Sequence, residues 1–313
     1  MIRKVMIRVL TAVTAGAVLV GGCVSVRPAG IPSLVAGGAN VAEESEAAPR
    51  FSKKIAMGHV RRLAKKIGVR VRATKGERKG AKYVASRFEE LGYEVTIQKF
   101  SVDGSRSRNV RARWPGLVRH PFVVGGHMDS VAGSPGANDN ASGVAVVLEM
   151  ARVFAGTAQA ELVEFVAFGA EEYGEDGTHH VGSQKFVNRL GKKGRKRAPG
   201  MISVDMIADG KPLIIGTAGI GPTIVAKTVF RKIKKKTRIK VVYRTTCDCS
   251  DNGPFERAGI PGAFLWSGTE PDYHSPNDKV ANLNPDHMRR TGRAVKAFLK
   301  LLDTGMVARF RSH

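Results

Sequence analysis

From Pro121 onward, short apolar runs of strand length alternate with longer stretches of helical period. The runs are Pro121–Gly126, Leu162–Phe168, Met201–Val204, Lys240–Tyr243 and Gly262–Trp266. Between and after them lie helical patterns at Ala141–Phe154, Ser183–Leu190, Pro222–Lys235, Asn252–Ala258 and Asp286–Leu302, the last closing the fold. Apolar runs without polar alternation are strands buried on both faces, and an intervening helix is the connection parallel strands need. The pattern predicts an α/β fold: a doubly wound, mostly parallel central sheet with helices on both faces. Upstream, helices are expected at Lys53–Lys66 and Gly76–Leu91, the second stopped by Gly92, then strands at Tyr93–Phe100 and Asn109–Arg113. No repeat period is visible, so residues 51–313 read as one domain.

In open α/β sheets the ligand crevice lies beyond the carboxyl ends of the strands. Val123–Gly126 runs into His127, Phe165–Phe168 leads to Glu171 and Glu172, and Met201–Val204 ends at Asp205. Asp139 in GANDNASG and His274 in PDYHSPND complete a set of five residues able to bind zinc through nitrogen or oxygen. Together they describe a metal site, and with it hydrolytic chemistry. Asp139 falls at a helix start, where Asp is a good cap, but a carboxylate pointing into a ligand-lined crevice can also bridge metals. Asp129, two residues beyond His127, projects from the same side of an extended segment and can fix the imidazole tautomer; a surface turn is the alternative. Adjacent Glu171 and Glu172 point in different directions, so one can bind metal while the other stays free as a base.

The motifs HMDS, GANDNASG, AFGAEEYG, VDMI, SDNGPFERAGIP and YHSPND, in this order and spacing, resemble the M28 family of zinc aminopeptidases over about Phe51–Asp303. The resemblance implies two zinc ions per chain, His127 and Asp205 holding one, Glu172 and His274 the other, with Asp139 bridging. It makes Glu171 the general base and Tyr273 the support of the oxyanion, and it puts Asp251 with Cys247 and Cys249 on the substrate side. Two metals about 3.5–4 Å apart polarise a carbonyl, activate a water and hold a free amine. The reaction implied is removal of N-terminal residues from extracellular peptides. Single-zinc glutaminyl cyclases and metal-free receptor-like relatives are the alternatives, and the complete ligand set with Glu171 favours the hydrolase. Glutamate carboxypeptidase-like relatives carry an inserted protease-associated domain, for which the stretch from Phe100 to Pro121 leaves no room. His179 and His180 are set aside as solvated loop histidines, and His59, His120, His287 and His313 have no motif around them.

Arg3, Lys4 and Arg8 precede an uncharged Val9–Val20 and then Gly21-Gly22-Cys23. That is the layout of a secretory signal, too short in its apolar part for a comfortable membrane span. Val20-Gly21-Gly22-Cys23 resembles a bacterial lipobox, in which cleavage leaves Cys23 as an acylated N-terminus. Residues 1–22 then read as a lipoprotein signal peptide and 23–50 as a flexible tether rich in Ala, Gly, Pro and Glu. The protein is expected to be exported and held on the outer face of the membrane, or secreted. Cys247 and Cys249 would be the remaining pair in a compartment that permits disulfides, with free thiols the alternative for so small a ring.

The formal net charge is +24, and the excess concentrates in KKGRKR (Lys192–Arg197) and RKIKKKTRIK (Arg231–Lys240). Aromatics make up only 6% of the chain and do not interleave with the cations, so no nucleic-acid partner is expected. Anionic lipid headgroups, wall polymers or plain solvation account for such a surface.

Overall fold

The computed structural model describes residues 49–268 and 270–312; Cys23, the leader, residues 23–48 of the tether and His313 lie outside them. Helix α1 (Lys53–Val60) starts at Ser52, whose hydroxyl accepts from the Ile55 amide, and runs on as a π-helical turn over Arg61–Ile67. Helix α2 (Lys75–Glu90) is capped by Thr74 and stops before Gly92, whose φ of 86° suits glycine and ends the helix where expected. Strands β1 (Glu94–Val102) and β2 (Ser105–Arg113) form a hairpin turning at Asp103-Gly104, both with positive φ.

The remaining elements follow in order: β3 (Phe122–His127), α3 (Gly143–Phe154), β4 (Val163–Phe168), α4 (Val181–Arg189), α5 (Gly191–Arg195), β5 (Met201–Val204) and β6 (Leu213–Thr217). After these come α6 (Ile224–Lys236), β7 (Val241–Thr245), α7 (Asn252–Arg257), β8 (Gly262–Trp266), α8 (Pro285–Leu299) and α9 (Thr304–Arg311). The eight strands form one sheet in the order β1-β2-β4-β3-β5-β8-β6-β7. The central four, β4, β3, β5 and β8, are parallel, as are β6 and β7, while β1–β2, β2–β4 and β6–β8 pair antiparallel. The sheet is therefore mixed: its centre is parallel, β1 and β2 join as a hairpin, and the remaining antiparallel pairs, β2–β4 and β6–β8, are between strands not consecutive in the chain.

Three elements extend the expected pattern, the first being the short helix α5 beyond the helix predicted to end at Leu190. Strand β6 is a five-residue run set between loops, and α9 follows the helix expected to close the fold. Phe310 of α9 packs against Phe122 at a ring separation of 5.9 Å, and Phe298 of α8 lies 5.8 Å from the same ring. Burying one such phenylalanine contributes about 1.5–3 kcal/mol, and Met306 and Val307 of α9 are buried with it.

Strands β3, β4 and β5 are buried at every residue. From β3 the chain passes to β4 on one side and returns to β5 on the other. The strand order thus reverses at the end of β3, where a crevice opens and where His127 stands.

Candidate metal centre

The rim is built by close backbone approach. A Cβ on Gly126 would lie 2.7 Å from the Val204 carbonyl oxygen, and one on Gly143 would lie 2.0 Å from the same atom. Glycine at both positions lets β3, the end of β5 and the start of α3 converge. Asn140 then joins them, its Nδ2 donating to Val204 O at 2.9 Å while its Oδ1 accepts from the Gly143 amide at 2.8 Å. Asn140 therefore does the capping that was the alternative role for Asp139, and the Asp139 carboxylate is left to face the crevice.

Five side chains meet there. Asp139 Oδ1 is 3.1 Å from His127 Nε2, and Asp205 Oδ1 is 3.4 Å from that same nitrogen. Asp139 Oδ2 is 3.1 Å from His274 Nε2, which lies 3.2 Å from Glu172 Oε2. The two oxygens of Asp139 thus address two separate groups, His127 with Asp205 and His274 with Glu172, each with its ligand atoms within 4.8 Å. Glu172 Oε1 and Asp205 Oδ1 are buried without a hydrogen-bond donor among the described residues. Buried carboxylate oxygens in that condition call for a cation, and this donor set of imidazole and carboxylate fits zinc.

The electrostatics agree. Burial pushes Glu171 and Glu172 well above the ordinary carboxylate range, and neighbouring acids, Asp205 for the first and Asp139 for the second, push further. Burial opposes a charge on His127, yet Glu171 and Asp205 raise it well above its ordinary value. His274 is raised to about 10: burial works against the charge, but hydrogen bonds to Asp139 and Glu172 outweigh it. Groups shifted this far are crowded around a place where positive charge is favoured, which a metal would supply.

Backbone amides hold the acids apart. Asp129 lies 3.7 Å from His127 Nδ1, beyond hydrogen-bond length, and accepts instead from the Glu171 and Glu172 amides at 3.1 Å each. Asp278, of the YHSPND motif, accepts from the Asn138 and Asp139 amides at 2.6 and 3.0 Å. Glu77 receives the Ala170 amide at 3.1 Å and the Ser107 hydroxyl at 2.6 Å, and Ser250 donates to Asp205 Oδ2 at 2.8 Å. Arg70 is wholly buried and donates to the carbonyls of Leu63, Gly68, Met128, Pro135 and Gly136, tying the loop after β3 to the loop before Asp139. Sequence reasoning missed Arg70 and Asp278; only the position of Asp278 inside a ligand motif was a signal.

Two expectations are corrected. His180 is not a solvated loop residue: it is 2% exposed, and its Nε2 lies 2.9 Å from Glu171 Oε1. The loop between Glu171 and His180 closes on itself, the His180 amide donating to Glu171 O at 2.7 Å. Arg72 clamps that loop through the carbonyls of Glu172 and Thr178 at 3.0 and 2.6 Å. His179 stays half-exposed and stacks on Tyr173 at 4.4 Å. Asp251, placed on the substrate side by resemblance, is fully buried beneath the site and absent from the cavity wall, with burial and Glu171 raising its carboxyl to about 8. Cys247 and Cys249 are disulfide-bonded and line the cavity. Tyr273 also lines it, stacked on His274 at 3.7 Å. Over the ligands the cavity measures about 180 Å³, with Met206, Phe264 and Trp266 among its wall residues.

A crevice at the strand-order reversal of a mixed α/β sheet, ringed by two histidines and several buried acids, is the architecture of metal-dependent exopeptidases. Residues 109–299 match the model of peptidase family M28, and the chain belongs to that family. It is 32% identical over 217 residues to aminopeptidase YwaD of Bacillus subtilis (strain 168), across 65% of this chain and 46% of that protein. To the probable lipoprotein aminopeptidase LpqL of Mycobacterium tuberculosis it is 30% identical over 237 residues, across 62% of this chain and 44% of that one. The chain spans about half the length of these curated relatives. Among solved structures it superposes on BSAP, a zinc aminopeptidase from Bacillus subtilis, with a TM-score of 0.74 at 20% identity, covering 83% of this chain and 97% of that one. A glutaminyl cyclase from Porphyromonas gingivalis shares the fold at a TM-score of 0.67 and 22% identity, covering 80% and 98%. The fold alone therefore does not separate hydrolysis from cyclisation.

Proposed function

We propose that this chain is a two-zinc aminopeptidase that removes residues from the free N-terminus of extracellular peptides. The observation that carries the reading is the Asp139 carboxylate, whose two oxygens face two distinct ligand groups. His127 and Asp205 would hold one zinc, Glu172 and His274 the other, and Asp139 both. When bound, such a pair polarises the scissile carbonyl, lowers the pKa of a water and receives the substrate amine.

The chain's own residues handle the protons. Glu171 takes the proton of the attacking water and returns it to the leaving amine, a role suited to a carboxyl held well above its ordinary value. His180, kept neutral by burial, donates from Nε2 to Glu171 Oε1 and so fixes the carboxylate, leaving Oε2 toward His127, 3.8 Å away. Tyr273, whose phenol burial and Asp139 push upward, stays protonated and donates to the developing oxyanion. Met206, Phe264 and Trp266 offer an apolar wall, which favours an apolar first residue. Acylation of Cys23 would keep the enzyme on the outer face of the membrane, consistent with the similarity to a probable lipoprotein aminopeptidase.

The test is amino-acid release from a leucyl peptide beside its N-acetylated twin, with a chelator control and zinc added back. Release from the free-amine peptide alone, lost to chelator and restored by zinc, is the expected result. Cleavage of both peptides, or cyclisation of N-terminal glutamine without hydrolysis, would overturn the reading.

A further inference from the structure

We propose that the groove between the end of α6 and the outer face of α8 docks on anionic lipid headgroups, through Arg50, Lys236, Arg289, Arg293, Lys296 and Lys300. On α8 the four cations are spaced four, three and four residues apart, which puts them on one face of a helix. They span about 16 Å along its axis. Lys236 enters from the last turn of α6, and Arg50 from the start of the described chain, to line a groove of about 540 Å³.

Ordinary explanations cover only part of this. Lysines in the last turn of α6 complement its C-terminal dipole. On α8 only Lys296 and Lys300, at its C-terminal end, share that account; Arg289 and Arg293 stand further back on the helix and do not. Asp286 is spoken for, 2.7 Å from Lys53 and 3.4 Å from Arg289. Arg50, Lys236, Arg293, Lys296 and Lys300 make no ion pair among the described residues. Lys296 is half-buried and loses proton affinity, first to burial and then to repulsion from Lys300 and Arg50. A row of mutually repelling cations along an exposed helix is complementary to a plane of separate anionic groups rather than to one small anion.

The second observation is where the chain arrives. Lys296 Nζ donates to the Pro49 carbonyl at 2.8 Å, and Arg152, held by Glu149, donates to the Arg50 carbonyl at 2.6 Å. The Phe51 ring fills a notch on α8 that exists only because residue 292 is glycine; a Cβ there would lie 2.2 Å from the ring. Residues 49–51 are thus pinned to the cationic face itself. A chain anchored upstream would leave the folded unit at this face, and no helix among the described residues is long and apolar enough to cross a membrane. The significance of that placement rests on reading Cys23 as the acylated residue; the binding itself does not.

All described elements lie after residue 49, so a chain starting at Val24 keeps the folded unit and lacks the acyl site. Its binding to phosphatidylglycerol–phosphatidylcholine vesicles is compared with binding to pure phosphatidylcholine. Binding only to the anionic vesicles, weakened by salt, is expected. The R289Q/R293Q/K296Q/K300Q variant should bind at least about tenfold more weakly while hydrolysing a soluble peptide normally. A variant of equal charge change, K192Q/K193Q/R195Q/K196Q, on a different face, should bind nearly as wild type. Equal loss in both variants, no vesicle binding by the parent chain, or tighter binding to RNA than to the vesicles would overturn the proposal. Whether Cys23 carries lipid is read separately, from the mass of the membrane-extracted full chain, so the two ideas fail independently.

Discussion

Like charges crowd at two places in this molecule, and the fold treats them in opposite ways. At the crevice Glu171, Glu172, Asp139 and Asp205 are each less than a tenth exposed, and paired backbone amides hold the acids around them through Asp129 and Asp278. Along α8 Arg289, Arg293 and Lys300 stand in solvent without such support. Buried crowding is costly, so it survives only where geometry is fixed and a specific counter-ion is at hand. Exposed crowding costs little in water, so its geometry is loose and its partner need only be an extended anion.

The contrast is most open to breakage at Asp139. Asp139→Ala should abolish turnover and release metal, because one side chain serves both ligand groups. Zinc at a hundred times Kd should stabilise the parent by about 2.7 kcal/mol in thermal unfolding and the variant not at all. Zinc content unchanged from the parent would refute the bridge. Glu171→Gln comes next: turnover should fall by about 10² or more with zinc retained, and near-normal turnover would remove it from the base role.

A smaller effect is expected one step back from the reacting atoms. His180→Ala should lower kcat about tenfold with KM little changed, as for a residue that only orients the base. His180→Gln, which restores a donor, should recover part of it. Equal effects on kcat and KM, or no advantage of Gln over Ala, would reduce His180 to packing.

The last test concerns His59, which belongs to neither set of residues. His59 hydrogen-bonds Tyr83 at 2.7 Å, and burial, then Arg87, lower it from 6.5 to about 4. A base whose folded pKa is depressed binds fewer protons than the unfolded chain between those values. Its share of stability is therefore complete above pH 6.5 and lost as pH falls toward 4. Denaturant titrations of the parent and His59→Gln should differ in slope across that window; identical slopes would show His59 to be already exposed in the fold.

What was legible in the sequence follows from where its signals lie. Apolar runs ending in His or acid are local patterns, and they placed His127, Glu171, Glu172 and Asp205 on one edge of the sheet. Helix α9 had a local signal too, since the Asp303 carboxylate accepts from the Met306 amide at 2.6 Å as a cap, but the pattern lay beyond an apparently complete fold. The burial of His180 had none: it depends on a loop that folds back by a backbone bond and on Arg72, a hundred residues upstream of the carbonyl it grips. Asp251 misled for the converse reason. A motif gives nearness to a site along the chain, and its side chain turns inward, where only packing decides.

Arg70 also bears on the order in which the chain can settle. Its acceptors arrive in two batches, Leu63 and Gly68 before it and Met128, Pro135 and Gly136 some sixty residues after it. As synthesis proceeds from the N-terminus, the first helices are made early, but the Arg70 guanidinium in the stretch between them cannot be buried without loss until the loop ahead of Asp139 has emerged. The N-terminal helices and the metal-ligand rim are therefore expected to lock in one cooperative event, which makes the opening third of the folded unit a timekeeper for the site rather than an appendage to it.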